Sequence, residues 1–197
     1  MKTIQKILAP DLPAPVGTAL GTAFGTDIIL AATPADGMVY DLVLLCTDRN
    51  AVDVPPGVPV LRQFFKTPQR LGAIMRQIRQ ILADPVLYLD DIIIADCTFQ
   101  PQEKMLLTPQ AAVSLTDKEV EILAYLIRRR GATVSRDDLL KDVWRYQAGV
   151  DTHTLETHIY RLRQKTSGIP ALADALSTDE DGGYRFVMPS GTPSAVP

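Results

Sequence analysis

The chain has 197 residues, 46% of them hydrophobic, with 20 basic and 23 acidic side chains and a formal net charge of −3. That length suits two small domains with separate cores. No run of 18 apolar residues occurs, and "MKTIQKILAPDLP" lacks the apolar stretch and cleavage site of a secretory leader, so a cytoplasmic protein with no membrane span is expected. The charge is spread evenly, with 8 basic against 10 acidic residues in 1–100 and 12 against 13 in 101–197. Neither half is a basic domain, and a polyanion would have to be met by a local basic face. Cys46 and Cys97 form no CxxC pair and sit in apolar or strand-like runs, which points to two reduced structural thiols and to no metal or cofactor site.

In chain order, apolar strand-like runs first alternate with weakly helical stretches: "TIQKILAP", "VGTALGTAF", "DIILAAT", "DLVLLCT", "VPVLRQFF" and "PQRLGAIMRQIRQILA". Strands bounded by Gly, Pro and Asp with helical segments between them predict βα units and a parallel sheet. The last stretch is a helix whose stripe is Leu71, Ile74, Met75, Ile78 and Ile81 or Leu82, stopped by Asp84-Pro85. From Val86 the grammar changes to short β runs, "VLYL", "DIIIADCTF", "KMLLT" and "AAVSL", which predict an antiparallel sheet. Thr116-Asp-Lys-Glu119 is then a capping box opening a helix that ends at Gly131. Ser135 caps a second helix, "RDDLLKDVW"; "RYQAGV" is a loop; "DTHTLETHIYRLRQK" is a third helix. "STDEDGGYRFV" reads as two strands around a Gly-Gly turn with three acids before its tip, and "PSGTPSAVP" as a disordered tail.

Wound at about 100° per residue, the third helix gathers Leu155, Ile159 and Leu162 into one seam. The opposite side presents His153, Thr157, Tyr160, Arg161 and Gln164, flanked by Thr154, His158 and Lys165, all able to donate to phosphates or base edges. A solvated amphipathic face would give the same wheel, but two capped helices precede it and a strand hairpin follows.

From Leu115 to Val187 the chain resembles the winged-helix DNA-binding domain of OmpR/PhoB-type response regulators. "LTDKEVEILAYLIRRRGATVSRDDLLKDVW" is similar to the first two helices, "VDTHTLETHIYRLRQK" to the recognition helix and "GGYRF" to the end of the wing. The strands before Leu115 are similar to the family's N-terminal β platform. The resemblance implies double-stranded DNA as partner, with Thr157 and Arg161 facing base edges. It places Thr154, His158, Arg163 and Lys165 toward phosphates, Trp144 near the backbone, and the loop 144–150 toward RNA polymerase. Three positions depart from the pattern: His153 and Tyr160 stand where basic residues are common, and Glu180, between Asp179 and Asp181, stands where the wing carries Arg.

The first part resembles a receiver domain that has lost its chemistry. Cys46 falls on the phosphoacceptor position, only Asp11 could stand for the acid pair, and the Lys-Pro step aligns with Thr67-Pro68, with Lys66 one place early. Cys46 as a redox sensor is an alternative without an evident basic neighbour. The expected organisation is thus an α/β receiver-like domain with a parallel sheet over 1–84. An α+β winged helix-turn-helix domain with an antiparallel platform follows over 85–188, then a tail over 189–197. The expected function is a phosphorylation-independent, dimeric DNA-binding regulator, with a module that binds another regulator or a kinase but no DNA as the alternative. No Ser/His/Asp set or phosphate-binding loop supports an enzyme.

Overall fold

Leu42-Val-Leu-Leu45 is a run of four apolar residues that only a strand covered on both faces can hide, and all four are buried. In the computed structural model this strand lies inside a parallel sheet. The structure describes residues 5–10, 12–25, 28–32, 38, 40–46, 54–62, 70–144 and 152–189. The chain divides into two units between Asp90 and Asp91.

The first unit runs β1 (Gln5–Leu8), α1 (Ala14–Phe24), β2 (Ile28–Ala31), β3 (Leu42–Leu45), β4 (Val60–Arg62) and α2 (Leu71–Ala83). The strands pair in parallel in the order β2-β1-β3-β4, with Gln5 opposite Ile28, Ile7 opposite Leu42 and Val43 opposite Val60. Strand alternation splits the apolar side chains between two faces. Ile7, Leu42 and Leu44 pack with Leu20 of α1 and with Ile74, Ile78 and Ile81 of α2, the stripe expected from spacing. Leu8, Val43 and Leu45 pack with Tyr40 and Val58 on the other face. "VGTALGTAF", apolar enough for either element, is helical: Pro15 lies in the first turn, where its missing N–H costs nothing, and Gly25 at φ 62 closes the end.

"VLYL" is not a strand. Pro85 follows Asp84 and opens a 3-10 turn over Pro85–Tyr88, which leaves Leu87 and Tyr88 exposed. The fixed φ of Pro85 suits a helical first turn and supplies no N–H to a ladder, so an apolar run beginning there curls instead of pairing.

Cys46 directly follows β3, where the strand order reverses between β1 and β3. In open α/β sheets that point beyond the strands' carboxyl ends is where ligands bind. Here Cys46 is buried in the same apolar cluster as Ile7, Ala9 and Leu20, and it is in no disulfide. Asp11, Lys66, Thr67 and Pro68, named above for receiver chemistry, lie outside the described residues.

The second unit opens with an antiparallel meander, β5 (Ile92–Ile94), β6 (Cys97–Gln100), β7 (Met105–Leu107) and β8 (Ala112–Ser114). "DIIIADCTF" holds two strands, because Ala95 adopts φ 53 and with Asp96 makes a two-residue turn that sets Ile94 opposite Cys97. Ile92, Ile94, Cys97, Phe99 and Leu106 are buried. Burial first and Asp96 second push the Cys97 thiol up to about 11, which fits a structural thiol. Three helices follow: α3 (Asp117–Arg128), α4 (Arg136–Trp144) and α5 (Thr152–Thr166). The capping box forms in full: Thr116 Oγ1 accepts from Glu119 N, and Glu119 Oε2 accepts from Thr116 N at 2.7 Å. Ser135 Oγ accepts from Asp138 N at 3.1 Å, capping α4 as expected.

The hairpin β9 (Leu176–Thr178) and β10 (Tyr184–Phe186) is antiparallel, with Thr178 opposite Tyr184. Val134, before α4, extends it by two 2.8 Å hydrogen bonds with Tyr184. The Gly-Gly turn has two separate reasons. Gly182 sits at φ 78, and a Cβ on Gly183 would come within 2.7 Å of Thr133 Cγ2 and 2.8 Å of the Val134 carbonyl oxygen. Gly183→Ala is therefore expected to cost about 1–3 kcal/mol, through a strand that has no room to yield. Urea unfolding of the full chain followed by Trp144 fluorescence measures this, and an unchanged midpoint would show that the bridge to Val134 can open without loss.

A candidate nucleic-acid interface

The seam of α5 forms as its spacing predicts, with Leu155, Ile159 and Leu162 buried. α3 packs on α4, α5 and β10. His153, Thr157, Tyr160, Arg161 and Gln164 are exposed on the other side, and Thr154 is half-buried. Thr157 Oγ1 donates to the His153 carbonyl at 2.9 Å, so its hydroxyl proton is used within the helix.

Two side chains expected at phosphates, and Trp144, expected near the DNA backbone, have partners inside the domain. Lys165 Nζ lies 2.7 Å from Glu119 Oε2, the carboxylate of the capping box, and Glu119 has no exposed surface. Burial pushes the Glu119 carboxyl up, but the hydrogen bonds from Lys165 and from the Thr116 backbone, with the charge of Lys165, outweigh it and hold the group below its usual range. Arg163 Nη2 donates to Thr178 Oγ1 at 2.7 Å and Nε to the Leu176 carbonyl at 3.3 Å, fastening α5 to the hairpin. Trp144 is buried, with Lys118 Nζ 5.4 Å from its ring centroid and the His158 ring 5.7 Å away. A helical wheel gives direction but not reach, and these long side chains bend back to partners that the wheel does not contain. Beyond Trp144, the loop 145–150 expected to face RNA polymerase lies outside the described residues.

His158 is half-buried, and its Nδ1 has no hydrogen-bond partner among the described residues. Burial lowers its pKa, Glu119 opposes this, and Arg161 and Lys118 add to the lowering. The lowering favours the neutral ring, which offers a hydrogen bond in place of a cation.

The acids of the hairpin divide by role. Asp179 Oδ2 accepts from Thr133 Oγ1 and Oδ1 from Glu180 N, both at 2.9 Å, and these bonds lower its pKa. Asp179 is a turn-forming residue, while Glu180 and Asp181 are exposed. The sequence reading missed two cations, one on the hairpin and one at the start of α4. Arg185 is exposed on β10, its Nε 3.0 Å from Ser177 Oγ. Arg136 begins α4 and sits 3.7 Å from Glu156. Glu156 also lies 3.5 Å from His153 Nδ1, so the flank of the face carries an acid that the wheel placed off the outer stripe. Alternation along β10 could have revealed Arg185; no local signal marks the Arg136–Glu156 pair.

Residues 110–186 match the family described as "Transcriptional regulatory protein, C terminal". The second unit carries an OmpR/PhoB-type winged-helix domain. This winged-helix domain is similar to part of the transcriptional regulatory protein SrrA of Staphylococcus aureus, 38% identical over 79 residues, or 40% of this chain and 33% of that protein. The chain thus matches only about a third of the length of these curated relatives. Among solved structures, the RstA DNA-binding domain of Klebsiella pneumoniae in complex with the RstA box is 25% identical, covering 50% of this chain and 97% of that one, with a TM-score of 0.41. The response regulator DrrB of Thermotoga maritima, described as an OmpR/PhoB homolog, is 16% identical over 94% of this chain and 100% of that one, with a TM-score of 0.45. A parallel-sheet α/β unit precedes the winged-helix domain and its antiparallel platform. Among the described residues no helix is long and apolar enough to cross a membrane.

Because Glu119 is buried, removing its cation should cost more than a surface ion pair would. Lys165→Met is expected to lose roughly 3 kcal/mol of stability at pH 7. In the wild type the lowered native pKa contributes stability above the unfolded carboxyl value, about 4.3, and loses it as pH falls through the native value. In the variant the unpaired carboxyl titrates above the unfolded value, so its deficit should shrink toward pH 4. Urea midpoints at pH 7 and 4.5 measure this; equal deficits would place the effect elsewhere than Glu119.

Proposed function

We propose that this chain is a DNA-binding transcriptional regulator whose α5 enters the major groove of duplex DNA. The observation that carries the reading is the exposed face of α5, where His153, Thr157, Tyr160, Arg161 and Gln164 stand together with Glu156 at their flank beside His153, within a domain of transcriptional regulators. Arg161 reads a base edge from that face, and Thr154 and His158 approach phosphates as neutral donors. Arg185 takes up the wing contact, while Glu180 and Asp181 repel phosphates. With Arg163 and Lys165 committed internally, binding rests on few phosphate contacts and on complementarity.

Regulation independent of phosphorylation belongs to the same proposal. Its support is Cys46, an apolar-packed thiol at the reversal of strand order, where an acyl phosphate would need a carboxylate. Homodimerisation through the first unit is supported by the sheet edge at β2, where Ile29 is 46% exposed. Exposed Glu180 and Asp181 favour the second reading, a module that binds another regulator or a kinase and no DNA.

A salt titration of binding to a random duplex pool separates the two. The log of affinity should fall with the log of salt with a slope of about −2 to −4. No salt-dependent binding would favour the interaction module. At a selected site Arg161→Ala should cost about 1–3 kcal/mol and relax choice at one base pair, whereas an unchanged preference removes Arg161 from base reading. Incubation with Mg²⁺ and acetyl phosphate should leave the intact mass of the chain unchanged. A phosphoryl adduct mapped to an Asp of the first unit would overturn phosphorylation independence.

A further inference from the structure

On α5, Tyr160 is 64% exposed, an unusual place for a large aromatic ring on a polar helix face. Its hydroxyl has no partner among the described residues. Three positions earlier, Thr157 spends its hydroxyl proton on the His153 carbonyl. What the middle of the face presents is therefore a phenol ring and a methyl-bearing side chain that can no longer donate. The cation of the face, Arg161, stands one step to the side, and the other long cations of the helix are tied to Glu119 and to the hairpin. A face built this way is poor at bidentate contacts to guanine at its centre and good at apolar contact.

The major groove offers one apolar group, the C5 methyl of thymine. We propose that Tyr160 and Thr157 read thymine methyls, so that the centre of the preferred site is A·T and specificity there is apolar. This deepens the DNA-binding reading and rests on it. The ring of Tyr160 covers one methyl and Thr157 contacts a second about one base step away, since the two residues lie on adjacent turns of one stripe. Arg161 then reads a base edge, guanine above all, beside this A·T centre.

The test uses the full chain and a site selected from a random duplex pool. Each thymidine is replaced singly by deoxyuridine, which removes only the methyl. One or two central positions should weaken binding about three- to fivefold, the effect of losing one buried methyl. In Tyr160→Ala the sensitivity at one of these positions should disappear. Tyr160→Phe should keep it, because the ring and not the hydroxyl makes the contact, and Thr157→Val should keep the second. A selected site without central A·T pairs, a site insensitive to deoxyuridine, or sensitivity unchanged in Tyr160→Ala would each overturn the proposal while leaving DNA binding in place. Loss of the sensitivity in Tyr160→Phe would also overturn it, by assigning the contact to the hydroxyl. A wild-type chain that binds no duplex removes the DNA reading itself, and this inference with it.

Discussion

The second unit is organised around a carboxylate that water does not reach. Glu119 accepts from the Thr116 backbone at the start of α3 and from Lys165 near the end of α5, 46 residues later. A buried charge is tolerated only when it is paired, so the contact with Lys165 makes the rotational setting of α5 a condition of the domain's stability. Once that setting is fixed, Leu155, Ile159 and Leu162 must face inward and the stripe from His153 to Gln164 must face out. One oxygen of the carboxylate, Oε1, has no partner among the described atoms, so the site is held by two strong donors and not by a saturated network.

In the first unit the governing constraint is apolar. The sheet is hidden on both faces, by α1 and α2 on one side and by Tyr40 and Val58 on the other. A strand such as Leu42–Leu45, with no polar side chain along its length, could sit nowhere else. Cys46 continues that logic past the strand's end, where it joins the apolar cluster of Ile7, Ala9 and Leu20.

What could be read from sequence was local. The stripe of α2, the capping box, the Ser135 cap, the seam of α5 and the hairpin around Gly182-Gly183 each depend on neighbours a few residues apart, and each is found. The misreadings came from the same locality. "VLYL" has strand composition, and only the proline before it gives a reason to curl. Trp144, Arg163 and Lys165 carry groups that suit a phosphate, but their partners lie in other elements: Lys118, Thr178 and Glu119. Asp179 reads as one of three equivalent acids until Thr133, also 46 residues away, is seen to donate to it.

The contacts of Arg163 and Asp179 set how the domain could respond to a ligand. Arg163 joins α5 to β9, Asp179 joins the hairpin tip to the segment before α4, and Val134 bridges β10. The hairpin is therefore tied to α5 at one point and to the segment before α4 at two. If duplex DNA is the ligand, a hairpin tied at these points leaves part of the adjustment to the double helix, whose bend and groove width then vary to meet both surfaces. Deformability differs among dinucleotide steps, and such a tie turns those differences into preference at base pairs that no side chain touches.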